Sequence, residues 1–183
     1  MELATDPYTL VYDKIVAALL ASVPIQQLIP RLPGNVVSLN KGHGRDQLRH
    51  EVKDSDLPEL IVRHNTVGGN LNIATNTAEI VRDFEIGLIT TPDKLSNEFF
   101  QIEWAIVCAL IDFNLFSDIR TLEWGGKKFV QSVTFGGADS GENDPETGRG
   151  IEGWAALFRL SVRMMFQHDM MRLFNTTGTP VEE

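Results

Sequence analysis

The stretch Trp154-Ala155-Ala156-Leu157-Phe158-Arg159-Leu160-Ser161-Val162-Arg163-Met164-Met165-Phe166 decides the fold class. Every even-numbered position in it is apolar, while Arg159, Ser161 and Arg163 interrupt the odd ones. Successive side chains of a strand point to opposite faces, so this alternation predicts one long strand with a buried face. An earlier stretch repeats the pattern, with Ile80, Phe84, Ile86 and Leu88 on one face and Asp83 and Glu85 on the other. Between the two, Leu95, Phe99, Ile102, Ile106, Leu110 and Phe113 advance by threes and fours. That spacing predicts a long helix with one core-facing side. Phe100, Trp104, Val107 and Ile111 widen its apolar surface beyond what one core contact needs. Such a helix is either sandwiched inside the domain or partly covered by another subunit.

Outward from this centre the chain reads as a series of short elements. Asp6-Pro7 opens a first helix, because Asp caps well and Pro tolerates the first helical position. Tyr8, Val11, Tyr12, Ile15, Ala18, Leu19 and Val23 follow at helical spacing until Pro24 interrupts. Ile25 to Ile29 makes one further turn, and Val36 to Leu39 a short strand. The polar residues 40–56 read as a long loop. Leu57 to His64 starts a strand, and Val67-Gly68-Gly69-Asn70 reads as a turn. Thr91-Pro92-Asp93 repeats the helix-start chemistry before the central helix. Asp118 to Glu123 is expected to be a strand, Gly125-Gly126 a tight turn, and Phe129 to Phe135 its hairpin partner. Residues 136–150 read as a Gly- and acid-rich loop, and 175–183 as a frayed tail. The sum is one α+β domain over residues 1–183: a largely antiparallel sheet packed against an N-terminal helix and one long central helix.

Composition narrows the function classes. A net charge of −9 disfavours broad nucleic-acid wrapping, which needs clustered Lys and Arg. No apolar run approaches the roughly 20 residues of a membrane span. Met1 to Pro7 lacks the basic and apolar regions of a signal peptide. The single cysteine, Cys108, sits among Ala105, Ile106, Val107, Ala109 and Leu110, and is expected to be a small buried hydrophobe. The four histidines show no zinc-ligand spacing, and no nucleophile elbow, phosphate loop or dinucleotide fingerprint is present. The four carboxylates of residues 138–146 depart from calcium-loop spacing, so no metal or cofactor is expected. The basic positions Lys41, Arg45 and Arg49 mark a candidate partner-binding arm. Trp124 is a candidate packing or interface residue. Arg159 and Arg163 share one strand face, which reads either as solvated or as a subunit contact with the acidic loop.

The order of elements resembles the tail terminator, or tail-completion, proteins of tailed bacteriophages. The resemblance is carried by the helix from Asp6 to Val23, the Leu-Pro-entered strand at Leu57 to His64, and the charged strand Val81-Arg82-Asp83-Phe84-Glu85-Ile86-Gly87-Leu88. The long helix starting near Pro92 and the Trp-led strand from Gly153 to Leu160 complete it. It covers most of the chain and is one of layout. It implies a non-enzymatic virion protein that forms a ring, commonly a hexamer, at the head-proximal end of the tail tube. Its implied partners are further copies of itself, tail-tube protein, and a neck or connector protein, with DNA passing through the lumen without specific binding. Phe100, Trp104, Arg159, Arg163 and the arm at Lys41, Arg45 and Arg49 are then the expected contact residues. A head–tail connector or neck adaptor is the nearest alternative, and a small-ligand-binding or enzymatic α+β domain the alternative from another class.

Overall fold

The computed structural model describes residues 5–29, 36–38, 58–72, 75–90, 97–143 and 153–168. The loop at 40–56 with Lys41, Arg45 and Arg49, the Thr91-Pro92-Asp93 helix start and the tail 175–183 lie outside the described residues.

Helix α1 spans Pro7–Ala21 and α2 spans Val23–Leu28. Asp6 caps α1 from extended backbone, accepting from the N–H groups of Tyr8 and Thr9 at 3.0 and 2.9 Å. Val11, Ile15 and Leu19 form its buried stripe. The break before α2 falls at Ser22, and Pro24 sits in the first turn of the new helix, where its missing N–H costs nothing.

The main sheet runs β1-β2-β3-β7-β6, with β1 Val36–Ser38, β2 Glu59–Asn72, β3 Thr77–Ile89, β6 Val130–Asn143 and β7 Gly153–Gln167. Among the described residues the β1–β2 pairing alone is parallel, and the other pairings are antiparallel. The two alternating stretches are the central pair: Phe84 lies opposite Leu160, Ile86 opposite Phe158, and Leu88 opposite Ala156. Leu60 and Val62 of β2 continue that inner face, and all of these side chains are buried. Helices α1, α2, α3 (Asn97–Leu110) and α4 (Phe113–Arg120) cover it with Ile15, Leu19, Ile25, Phe99, Ile102, Ile106, Leu115 and Ile119. The result is the expected α+β architecture, a helical layer on one side of a largely antiparallel sheet.

Four local expectations are corrected. Val67 to Asn70 is not a turn: β2 passes through it with a bulge between Thr66 and Gly68. Gly69 is there for close approach, since a Cβ would stand 3.2 Å from the Glu79 carbonyl oxygen. Residues 136–143 are not loop: β6 continues to Asn143 opposite Gly153, bulged between Phe135 and Gly137. Gly137 takes φ 104°, a conformation that L side chains rarely adopt. The central helix is not continuous to Phe113. It ends at Leu110, and Asp112 recaps the chain by accepting from the Asn114 N–H at 2.7 Å. Helices α3 and α4 are bent by 42° at this break. The first half of the predicted strand at Asp118 to Glu123 is the end of α4, and only Glu123–Trp124 (β4) pairs with Lys127–Lys128 (β5). The Gly125-Gly126 turn between them is as expected, with φ 59° and 71°.

Candidate functional site

The structure separates three groupings of chemistry-bearing side chains. The first lies on the inner sheet face at the N-terminal end of α1. Arg82 is packed on the Tyr8 ring, with its guanidinium carbon 3.6 Å from the ring centroid, and its Nη1 donates to His64 Nδ1. His64 also lies between the Tyr8 and Phe84 rings, at centroid distances of 6.0 and 5.6 Å. Burial, then the neighbouring Arg82 charge, lowers the His64 pKa below 6.5, while Asp6 pulls the other way. Burial pushes Asp6 up, but the hydroxyl of Thr9 and the amides of Thr9 and Tyr8 outweigh it and hold its carboxyl below the usual value. The neutral imidazole accepts from Arg82, so this cluster ties α1 to β2 and β3.

A charge ladder on the outer sheet face forms the second grouping. Cross-strand register sets Arg63 and Arg159 on either side of Glu85, one from β2 and one from β7. Arg63 Nε donates to Glu85 Oε2 at 2.6 Å, and Arg159 Nη2 reaches Oε1 at 3.4 Å. Arg159 Nε stands 3.4 Å from Asp83, which also accepts from the Ser161 hydroxyl. Arg163 Nε lies 3.5 Å from Glu79. The carboxylates of Asp83 and Glu85 are 14% and 9% exposed, whereas the side chains of Arg63, Arg159 and Arg163 are 45%, 46% and 56% exposed. Guanidinium heads therefore top the face, and their acids lie beneath. Arg159 and Arg163 are thus paired with acids of the adjacent strand within their own sheet.

The third grouping is the outward side of α3. Phe100 is 53% exposed, Trp104 65%, and Ile111 46%, and Phe113 at the start of α4 is 82% exposed. At 3.6 residues per turn, Phe100, Trp104 and Ile111 stack on the side opposite the buried Phe99, Ile102, Ile106 and Leu110. Cys108, one turn after Trp104, is exposed, so the expectation of a buried thiol is corrected. Its apolar neighbours in sequence face the core, and its own position on the helix faces outward.

Trp124 is a packing residue. It is buried edge-on against Phe166, and its indole N–H donates to the Thr5 carbonyl at 3.1 Å. A groove beside it, lined by Lys127, Phe129 and Gln167 among others, has a volume of about 170 Å³. That is below the usual range of small-molecule sites, roughly 300–1,000 Å³. Among the described residues, no group of His, Cys, Asp and Glu is placed to hold a metal ion. No single helix among them is long and apolar enough to cross a membrane.

The sequence named Phe100, Trp104, Arg159 and Arg163, and the structure divides them between two opposed faces. Sequence reasoning put Asp83 and Glu85 on the polar strand face but missed their pairing with Arg63 and Arg159, and the His64–Arg82 contact, because each depends on strand register. Neither a protein-family model nor any curated protein matches this chain.

Proposed function

We propose that this chain is a structural virion protein of a tailed phage. It forms a ring that ends the tail tube and joins the tail to the head or neck. The observation that carries the reading is the stripe of Phe100 and Trp104 on α3, continued by Ile111 in the bend after it and by Phe113 on α4. Large apolar side chains grouped on the water-facing side of a core helix are the usual mark of a protein–protein contact. The order α1, β2, β3, α3, β7 agrees with the layout on which the phage resemblance rests. A net charge of −9 suits a lumen through which DNA passes without adhering, since like charges repel. Ring formation needs a head-to-tail contact whose rotation closes.

Native mass spectrometry and negative-stain imaging of the purified chain, alone and with tail-tube protein, test the reading. Closed rings that cap tubes and halt their growth are expected. A monomer at high concentration, with tube protein present and uncapped, would refute it. Rings that bind a connector and ignore the tube would move the protein to the neck.

A further inference from the structure

We infer that the contact between His64 and Arg82 is a proton-operated latch on the first turn of α1, closed while the imidazole is neutral and opened when it takes up a proton. The device works whether or not copies assemble into a ring. Two ties hold the start of α1 against the domain. One is the Trp124 indole N–H, which donates to the Thr5 carbonyl at 3.1 Å. The other is Tyr8, which Arg82 covers with its guanidinium carbon 3.6 Å from the ring centroid, while His64 stands 6.0 Å from the same ring. Arg82 holds this position from β3 through the hydrogen bond that its Nη1 makes with His64 Nδ1 on β2. A guanidinium has donors and no acceptor and keeps its charge, so the imidazole nitrogen must be the acceptor. Once protonated, the ring carries N–H donors at both nitrogens. The hydrogen bond is then replaced by two cations facing each other in a half-buried site, and Arg82 is driven off the Tyr8 ring.

The groups around the imidazole set the sign. The start of α1 presents Asp6 and the Tyr8 phenol, and β3 presents Arg82 and the Phe84 ring. Opposite Arg82 and Phe84, β7 presents the uncharged Val162 and Leu160. Arg63, Asp83 and Glu85 belong to the other sheet face. Among the described residues, Asp6 is the carboxylate that favours a charged ring. Both of its oxygens are already engaged: Oδ1 accepts from the Tyr8 and Thr9 N–H groups at 3.0 and 2.9 Å, and Oδ2 from the Thr9 hydroxyl at 2.6 Å. Asp6 therefore acts on His64 through space, and burial together with Arg82 outweighs it, so the His64 pKa lies below 6.5. The stabilisation from the closed latch is complete above 6.5 and is lost as the pH falls through the lowered value. The opening is local, because Val11, Ile15 and Leu19 keep the rest of α1 in the core.

Amide hydrogen exchange read by NMR on the full chain tests the latch, with the His64 midpoint taken from its own ring signals. As the pH falls through that midpoint, protection of the Tyr8, Thr9 and Leu10 amides should drop about tenfold or more after correction for intrinsic rates, the worth of a hydrogen bond to a charged group. Ile106 and Leu110 in α3 should keep their protection, and the Trp124 indole N–H signal should shift with the same midpoint. In His64→Gln, whose amide oxygen accepts from Arg82 without titrating, the step should vanish. In Arg82→Gln the His64 midpoint should rise toward 6.5 and the step should shrink. Unchanged or stronger protection of the first turn across the midpoint overturns the inference, since Asp6 would then outweigh Arg82. The same step in His64→Gln overturns it by assigning the change to a carboxylate. Loss in α3 in parallel with α1 overturns it in favour of global unfolding. Should His64→Gln fail to fold, the wild type and Arg82→Gln decide alone, and an unmoved His64 midpoint between them overturns the latch.

Discussion

Phe99 and Phe100 are adjacent in sequence and opposite in environment, and their alanine variants should differ by a margin that thermal unfolding can resolve. Phe99 is 1% exposed and edge-packed on Phe100, with ring centroids 5.6 Å apart. Phe99→Ala removes a buried ring and leaves a cavity among Ile102, Ile106 and the sheet, a loss of about 3–5 kcal/mol. Phe100 keeps 53% of its surface in water, so its transfer loss is about half that of full burial, roughly 1 kcal/mol. No enclosed cavity follows, and the better helix propensity of Ala recovers about 0.5 kcal/mol. The expected gap is at least about 2 kcal/mol, or roughly 4–8 °C in Tm for a chain of this size. The assay is urea and thermal unfolding of both variants at low protein concentration, where association does not contribute. Equal destabilisation, or a larger loss at Phe100, would mean that α3 is rotated about its axis and that the stripe belongs to the core.

Four further outcomes follow from local features. Asp6→Ala should cost about 1 kcal/mol by removing the α1 cap, and its carboxyl, held below its ordinary value, should stabilise the fold above that value and cease to do so on acidification; guanidine unfolding across pH 2 to 6, with those limits chosen roughly to span carboxylate titration, checks both. His64 has a folded pKa below 6.5, so its contribution is complete above 6.5 and is lost as pH falls through the lowered value. An imidazole titration by NMR with a midpoint above 6.5 would refute the burial and Arg82 contact assigned to it. Gly137→Ala should cost about 1–3 kcal/mol, because φ 104° is closed to a Cβ, whereas Gly68→Ala finds open space; matched unfolding curves for the pair would refute the bulge assignment. Native Cys108 should react with a thiol reagent at the rate of an exposed thiol, and protection in the monomer would place it in the core.

Periodicity carried most of the fold into view. The β7 alternation holds without exception from Ala156 to Phe166, because a strand's two faces are fixed by backbone geometry alone. Asp6-Pro7 read correctly for the same local reason: the cap is satisfied within three residues. The glycine segments misled because Gly signals both a turn and a bulged strand. The chain stays in strand through Gly68-Gly69, just past the bulge between Thr66 and Gly68, and through the bulge between Phe135 and Gly137, only because β3 and β7 lie alongside to pair with it. The helix break at Asp112 was legible in principle, since Asp112, Leu115 and Ile119 repeat the cap and stripe of α1. The threes-and-fours march to Phe113 concealed it.

The sequence by itself determined the alternation, the caps and the apolar excess of α3, because each is a property of neighbours along the chain. Tertiary structure alone decided that the second apolar side of α3, with Phe100 and Trp104, is left exposed, that Cys108 faces outward, and that Glu85 sits between Arg63 and Arg159. Those facts depend on a helix's rotation against a sheet and on register between strands far apart in sequence. Neither is fixed until the core packs and every buried face finds its partner.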